Sequence, residues 1–315
     1  MTREVVVADL WDETPDVRCF ELRPVEPLPL PPAEPGAHID VHVGPSLVRQ
    51  YSLWNGPAEA GAYFIGVKRE PRSRGGSVAM HGLTIGSRLT ISPPRNNFRL
   101  AANDAPALLL AGGIGITPLL AMARHLDANK MPFQLHLFSR SRELAPFVST
   151  LAGLAHARVH CGVLPPTLDG LLTGLLAAHS RQTHVYICGP APFMELAARL
   201  AAGQDLPPDN VHLEYFAAEQ PALDASALSF DVEARQSGIT VTVAPHQTIA
   251  QALIDAGVDL LTSCEQGVCG TCATAVLEGE PDHRDQYLNR MEHASGKIMT
   301  PCVSRCKGAR LVLDI

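Results

Sequence analysis

Ser263-Cys264-Glu265-Gln266-Gly267-Val268-Cys269-Gly270-Thr271-Cys272 is the stretch on which the reading of this chain turns. With Cys302 downstream it shows the plant-type [2Fe–2S] spacing, C-x₄-C-x₂-C…C. Three thiolates on one tight loop can wrap one side of a two-iron cluster, and a distant fourth closes it. Gly267 and Gly270 suit a loop that turns sharply and brings backbone N–H groups toward sulfur. Zinc fits less well, because structural zinc sites pair two short C-x₂₋₄-C or H-x₃₋₅-H units and only one clean pair is present. A disulfide framework suits small secreted domains, whereas this chain has 315 residues and no signal-peptide pattern. Cys306 competes with Cys302 for the fourth position. Cys19, Cys161 and Cys188 are isolated and read as buried small hydrophobes. A cluster of this kind carries one electron at a time, so the rest of the chain must account for where electrons come from.

Upstream, the pattern divides. Before residue 103, short β-rich runs at 5–7, 37–43, 63–67 and 88–91 are separated by Pro and Gly, with residues 24–35 a proline-dense loop. This predicts an antiparallel barrel. From residue 106 the pattern alternates. Apolar strands at 107–111, 133–138 and 185–187 are interleaved with helices at 117–126, 168–179 and 193–202, which predicts an open, doubly wound parallel sheet. Residues 217–228 read as a linker. Beyond them, a hairpin at 229–235 and 239–243, a helix at 249–256 and a closing strand at 310–313 predict a compact α+β unit. The expected domains are 1–102, 103–225 and 226–315.

Hydrophobic residues make up 46% of the chain, ordinary for globular cores, and the net charge of −7 argues against a nucleic-acid partner. No apolar run is long enough to span a membrane. The expected setting is cytoplasmic, where thiolates stay reduced.

Three further motifs carry chemistry. Arg49-Gln50-Tyr51-Ser52-Leu53 places a guanidinium, an aromatic ring and a hydroxyl on one strand, which can hold a phosphate, cover a flat ring and bond its edge. Arg74-Gly75-Gly76-Ser77 opens a helix-like segment and reads as an anion site. Gly112-Gly113-Ile114-Gly115-Ile116-Thr117-Pro118 follows a buried strand, and Cys188-Gly189-Pro190 ends a later one. Glycines at two strand ends point to one ligand at a topological switch point. The 13 histidines show no metal-ligand clustering, and His38 and His42 read as barrel-surface residues.

Taken in order, these motifs resemble the family of phthalate dioxygenase reductase and vanillate demethylase reductase over nearly the whole chain. Val67-Lys68-Arg69-Glu70, Pro94-Arg95-Asn96, Asp282-His283-Arg284-Asp285 and Cys302-Val303-Ser304-Arg305 also match. The resemblance implies a flavin barrel, a nicotinamide domain and a plant-type ferredoxin (β-grasp) domain. It implies FMN, NADH and a [2Fe–2S] cluster held by Cys264, Cys269, Cys272 and Cys302, not Cys306. Tyr51 would lie against the flavin with Ser52 near its N5, and Arg49, Val67 and Lys68 would lie along it. Gly75, Gly76 and Ser77 would hold the FMN phosphate. Gly113, Thr117, Cys188 and Met194 would line the nicotinamide, and Phe216 would approach the flavin ring, so that Ser52 and Phe216 flank the hydride path. One position departs. Phe138-Ser139-Arg140-Ser141-Arg142 ends the second sheet strand, where the family carries an Asp at the place of Ser141; residue chemistry leans to NADPH there and the resemblance to NADH. NADH is the expectation.

The chain is thus expected to be a monomeric NADH-oxidising reductase component serving a Rieske non-haem iron oxygenase or O-demethylase. The alternatives are a general donor to a cytochrome P450 and a non-enzymatic redox-sensing module.

Overall fold

A computed structural model describes residues 2–44, 47–56, 59, 61–71, 73, 75–204, 206–216 and 228–315. The chain divides into two compact units, Met1–Glu214 and Tyr215–Ile315.

The first unit opens with β1 (Arg3–Thr14), β2 (Val17–Pro24), β3 (His38–Gly44), β4 (Leu47–Ser52), β5 (Tyr63–Lys68), the short helix α1 (Gly76–His81) and β6 (Arg88–Ile91). These strands form an antiparallel sheet in the order β4-β3-β6-β1-β2-β5. The two end strands meet through a Leu53–Ile65 bridge and a Trp54 N–H to Phe64 carbonyl bond of 3.1 Å, which turns the sheet into a barrel. Its interior is apolar: Val5, Phe20, Leu22, Ile39, Val41, Ile65 and Ile91. The proline-dense stretch covers the barrel, with Leu30 buried and the Tyr63 hydroxyl donating to the Pro31 carbonyl at 2.6 Å.

The β2 strand was absent from the sequence reading. Half-buried Arg18 and exposed Arg23 interrupt the apolar signal, although Val17, Cys19, Phe20 and Leu22 are buried. His38 also departs from expectation. It is buried, not at the barrel surface, because the segment at Arg95 bridges to it and covers that face of β3. Beneath the same cover, Asp40 accepts two 2.8 Å bonds from Arg95. Burial, then the nearby Arg95 charge, pulls the His38 imidazole down to about 4.

The same unit continues with β7 (Ala107–Gly112), α2 (Ile116–Ala128), β8 (Phe133–Ser139), α3 (Val148–Ala152), β9 (Ala157–Cys161), α4 (Pro165–Ala177), β10 (His184–Cys188), α5 (Ala191–Ala202) and β11 (Val211–Glu214). All sheet pairs are parallel, in the order β11-β10-β7-β8-β9. Every residue of β7 is buried, as a central parallel strand requires. The winding direction reverses between β7 and β10. Sequence reading missed α3, β9 and β11, all short, and Cys161 at the end of β9 is half-buried and not a core residue. One apolar core joins barrel residues Cys19, Trp54 and Phe98 to Leu119, Met122, Phe147 and Tyr186. Around it, Arg124 pairs with Glu59 at 2.8 Å and the Phe147 N–H donates to Glu13 at 3.1 Å.

The second unit contains β12 (Phe230–Ala234), β13 (Ile239–Val243), α6 (Ile249–Asp255), β14 (Thr274–Glu278), β15 (Pro281–Asp282), α7 (Arg290–Ser295), β16 (Ile298–Met299), β17 (Arg305–Cys306) and β18 (Arg310–Leu313). Its main sheet runs β13-β12-β18-β14-β16, with β12 and β18 parallel and the other pairs antiparallel. Ile249 and Leu253 of α6 pack on Val232, Val243, Leu311 and Leu313. Thr248 caps α6 by accepting the Gln251 N–H at 3.1 Å. The linker expected at 217–228 lies, apart from Leu228, outside the described residues.

Candidate functional site

The four predicted cluster cysteines are all buried. Gly267 (φ 70) and Gly270 (φ 71) are left-handed, and both positions are tightly enclosed. A Cβ on Gly267 would meet Val303 at 2.6 Å and Asp285 at 3.0 Å; one on Gly270 would enter the Tyr287 ring. The loop is therefore a cradle that side chains would fill. Backbone N–H groups of Gln266 and Thr271 reach the sulfurs of Cys264 and Cys269 at 3.3 and 3.4 Å. Cys272 and Cys302 share an apolar pocket with Ala250 and Val303. Contact with Cys269, then burial, pushes the Cys264 thiol up, while the same contact pulls Cys269 down to about 6. Contact with Cys302 lowers Cys272, and contact with Cys272, then burial, raises Cys302. Four close, buried thiols cannot all ionise without a cation among them, and the iron of a cluster would supply that charge. Cys306 lies apart on β17, its sulfur accepting the Gly308 N–H at 3.3 Å.

In the barrel, Arg49, Tyr51 and Ser52 lie on β4. Gly76 is small because Arg49 crosses it: a Cβ there would sit 2.7 Å from Nε. Arg49 thus covers the Gly75–Gly76 turn, where Gly75 has φ 95. Ser77 accepts the Glu70 N–H at 3.1 Å, which leaves its own proton free to donate. Lys68 pairs with Glu70 at 3.0 Å. The Val67 side chain is in the barrel core, so only its backbone can face a ligand. Arg74 lies outside the described residues. Burial pushes the Tyr51 phenol up, so its ring is a neutral platform.

At the switch point the β7 and β10 turns touch. A Cβ on Gly115 would strike the Cys188 carbonyl and approach Gly189 N to 2.6 Å, and one on Gly112 would lie 2.8 Å from Pro190. Gly113 is left-handed at φ 53. Thr117 is buried and its hydroxyl donates to the Ile114 carbonyl at 3.1 Å. Gly66 of β5, next to the Leu53–Ile65 bridge, lets Thr117 approach: a Cβ there would be 3.1 Å from its methyl. Ser52 precedes that bridge, so the barrel seam and the glycine crevice meet at one junction. Cys188 and Met194 are fully buried. Phe216 follows β11 and is 40% exposed.

Two features escaped the sequence reading. Glu214, opposite Cys188 in the β10–β11 register, has a shielded Oε2 with no hydrogen-bond partner among the described residues. Burial pushes its carboxyl up to about 8, and burial together with Glu214 pushes the Cys188 thiol well up. Its sequence neighbourhood looks like any strand end. The native acid stays protonated where the unfolded chain has ionised, so its stabilising contribution is complete below the ordinary carboxylate range. It is lost as pH rises from there to about 8. Glu214→Gln is therefore expected to gain stability relative to the parent across that window, by up to about 1.4 kcal/mol per pH unit. Urea midpoints at pH 5, 6.5 and 8 check this; a constant offset would refute it. The second feature corrects the expectation that no histidines cluster: His283, Asp285 and His293 converge within 4.8 Å.

A barrel fused to a doubly wound sheet, followed by a four-cysteine ferredoxin unit, defines the class of modular electron-transfer reductases. Residues 232–307 match the 2Fe-2S iron-sulfur cluster binding domain family. Over 99% of its length the chain is 44% identical to the vanillate O-demethylase oxidoreductase of Pseudomonas sp. strain HR199, covering 99% of that protein, and it belongs to that family of oxygenase reductases. It is an oxidoreductase. All of it superposes on phthalate dioxygenase reductase, described as a modular structure for electron transfer from pyridine nucleotides to [2Fe–2S], with 34% identity, a TM-score of 0.76 and 98% of that chain covered. It also superposes on an intact type IV self-sufficient cytochrome P450 monooxygenase at 37% identity and a TM-score of 0.87, spanning 41% of that chain.

Proposed function

We propose that this chain is the reductase component of a Rieske-type aromatic oxygenase or O-demethylase, taking electrons from NADH through FMN and a [2Fe–2S] cluster. The observation that carries the reading is the junction where Gly66 meets Thr117, with Ser52 on one side and the Gly112–Gly115 and Cys188–Gly189 turns on the other. The work divides over residues 1–102, 103–225 and 226–315. A bound flavin supplies the conversion between a two-electron hydride and single electrons.

The chain's own groups then have distinct roles. Arg49, Gly75, Gly76 and Ser77 bind the FMN phosphate, and Lys68 and the Val67 backbone lie along the flavin. Tyr51 supports the ring, and the Ser52 hydroxyl donates toward its N5. Gly113, Thr117, Cys188 and Met194 position the nicotinamide. Cys264, Cys269, Cys272 and Cys302 hold the cluster. The shared core of barrel and parallel sheet keeps the two reacting groups in fixed register, the condition for efficient hydride transfer. Among the described residues no helix is long and apolar enough to cross a membrane. The protein works as a cytoplasmic monomer that docks to its oxygenase without nucleic acid or membrane.

Arg140 and Arg142 are exposed, and Ser141 hydrogen-bonds Glu143, whose carboxyl that bond holds below its usual range. The carboxylate disfavours a 2′-phosphate and supports NADH. Acid-released flavin is expected to chromatograph as FMN, and kcat/KM with ferricyanide to favour NADH over NADPH by at least about tenfold, the worth of a charge-assisted bond. FAD in the extract, or an NADPH preference removed by Arg140→Ala or Arg142→Ala, would overturn the respective assignment. Donation to a cytochrome P450 is the second reading, favoured by the full-length match to the self-sufficient monooxygenase. Reduction of a purified Rieske oxygenase but not of a P450 decides between them.

A further inference from the structure

We propose that His283, Asp285 and His293 form a binding site for a divalent transition metal, Zn²⁺ by donor chemistry, separate from the iron–sulfur cysteines. The Asp285 Oδ1 lies 3.2 Å from His293 Nε2 and 3.6 Å from His283 Nδ1. Ligand atoms at 2.0–2.1 Å from a tetrahedral zinc lie about 3.4 Å from one another, so these separations need only small adjustments. The rings stack with centroids 4.4 Å apart and 23° between planes, so both imidazoles can turn a nitrogen toward one carboxylate. His283 supplies an independent sign: both ring nitrogens are shielded from solvent, and among the described residues neither has a hydrogen bond, Asp285 Oδ1 standing 3.6 Å from Nδ1. A buried polar group in that state costs free energy unless something binds it.

The surroundings hold the donors in place. The Asp285 side chain is fully buried, and its Oδ2 accepts the Leu288 N–H at 2.8 Å. The Ser304 hydroxyl approaches Oδ1 at 3.5 Å. His293 stands on α7, whose start is fixed by the reciprocal Asn289–Glu292 capping box. His293 is one-third exposed, which gives a metal ion an entry path and leaves the fourth position to water. The Gln286 N–H donates to the Gly267 carbonyl at 3.0 Å, so the site is tied to the cysteine loop.

The proposal does not depend on the partner or nucleotide assigned above. The test uses the flavin- and cluster-loaded protein, washed with a mild chelator, given Zn²⁺ and desalted. Metal analysis is expected to find one zinc per chain with iron unchanged. His283→Ala and His293→Ala should each weaken zinc retention at least about tenfold, with the visible cluster spectrum intact. The paired histidines His136–His160 and His184–His212, each joined at 2.9 Å, serve as controls, and their alanine variants should keep the zinc. Should His283→Ala disturb the cluster, the decision passes to His293→Ala on the half-exposed helix. No zinc retained by the parent, or retention undiminished in His293→Ala, overturns the proposal.

Discussion

Cys302→Ser is expected to lose the iron–sulfur cluster, and with it all electron delivery to an oxygenase, while Cys306→Ser keeps both. The two cysteines are close in sequence but differ in surroundings. Cys302 packs with Cys272 and Val303 in the apolar pocket behind the cysteine loop. Cys306 sits on a strand paired to Pro281, its sulfur between the Gly308 N–H and the Arg310 carbonyl. A thiolate on Cys306 would have to leave those contacts to reach the loop. A serine at 302 offers a harder, more basic donor where iron needs sulfur. Iron content and the EPR signal of the reduced protein provide the measurement, and flavin reduction by NADH should persist in both variants because hydride transfer precedes the cluster. Iron retained in Cys302→Ser and lost in Cys306→Ser would reverse the ligand assignment.

What could be read from sequence was local and contiguous. The Cys264–Cys272 loop and the Gly112–Pro118 turn announce themselves because their chemistry needs fixed spacing along the chain. Cys302 was ambiguous by spacing and was separated from Cys306 by family resemblance. The β7 strand was legible because both its faces are buried, whereas β2 mixes Arg18, Glu21 and Arg23 with core residues and gives no clean period. His38 misled for a tertiary reason: a histidine on a barrel strand reads as a surface residue, but the Arg95 segment folds over it. Glu214 and the His283–Asp285–His293 group were invisible for the same cause. Their properties come from which strands and helices pack beside them, and no spacing rule encodes that.

Gly115→Ala is expected to cut NADH-driven flavin reduction at least about a hundredfold while leaving chemical reduction of flavin and cluster unchanged. The backbone angle is not the obstacle, since Gly115 has φ −62 and any residue adopts that. Space is the obstacle. The added methyl would strike the Cys188 carbonyl and come within 2.6 Å of Gly189 N, and both neighbours are backbone that cannot rotate away. The β7 and β10 turns must part, and they are the two walls of the proposed nicotinamide crevice. Overpacking of this kind costs about 1–3 kcal/mol, and a displacement of about 1 Å at a reacting centre costs roughly 10²-fold in rate. Gly174→Ala is the matched control: it lies in α4, its Cβ would meet nothing within 4 Å, and alanine is the better helix former. Stopped-flow reduction by NADH, set beside dithionite reduction, separates the two effects. A normal hydride-transfer rate in Gly115→Ala would mean that the contact between these turns does not position the nucleotide.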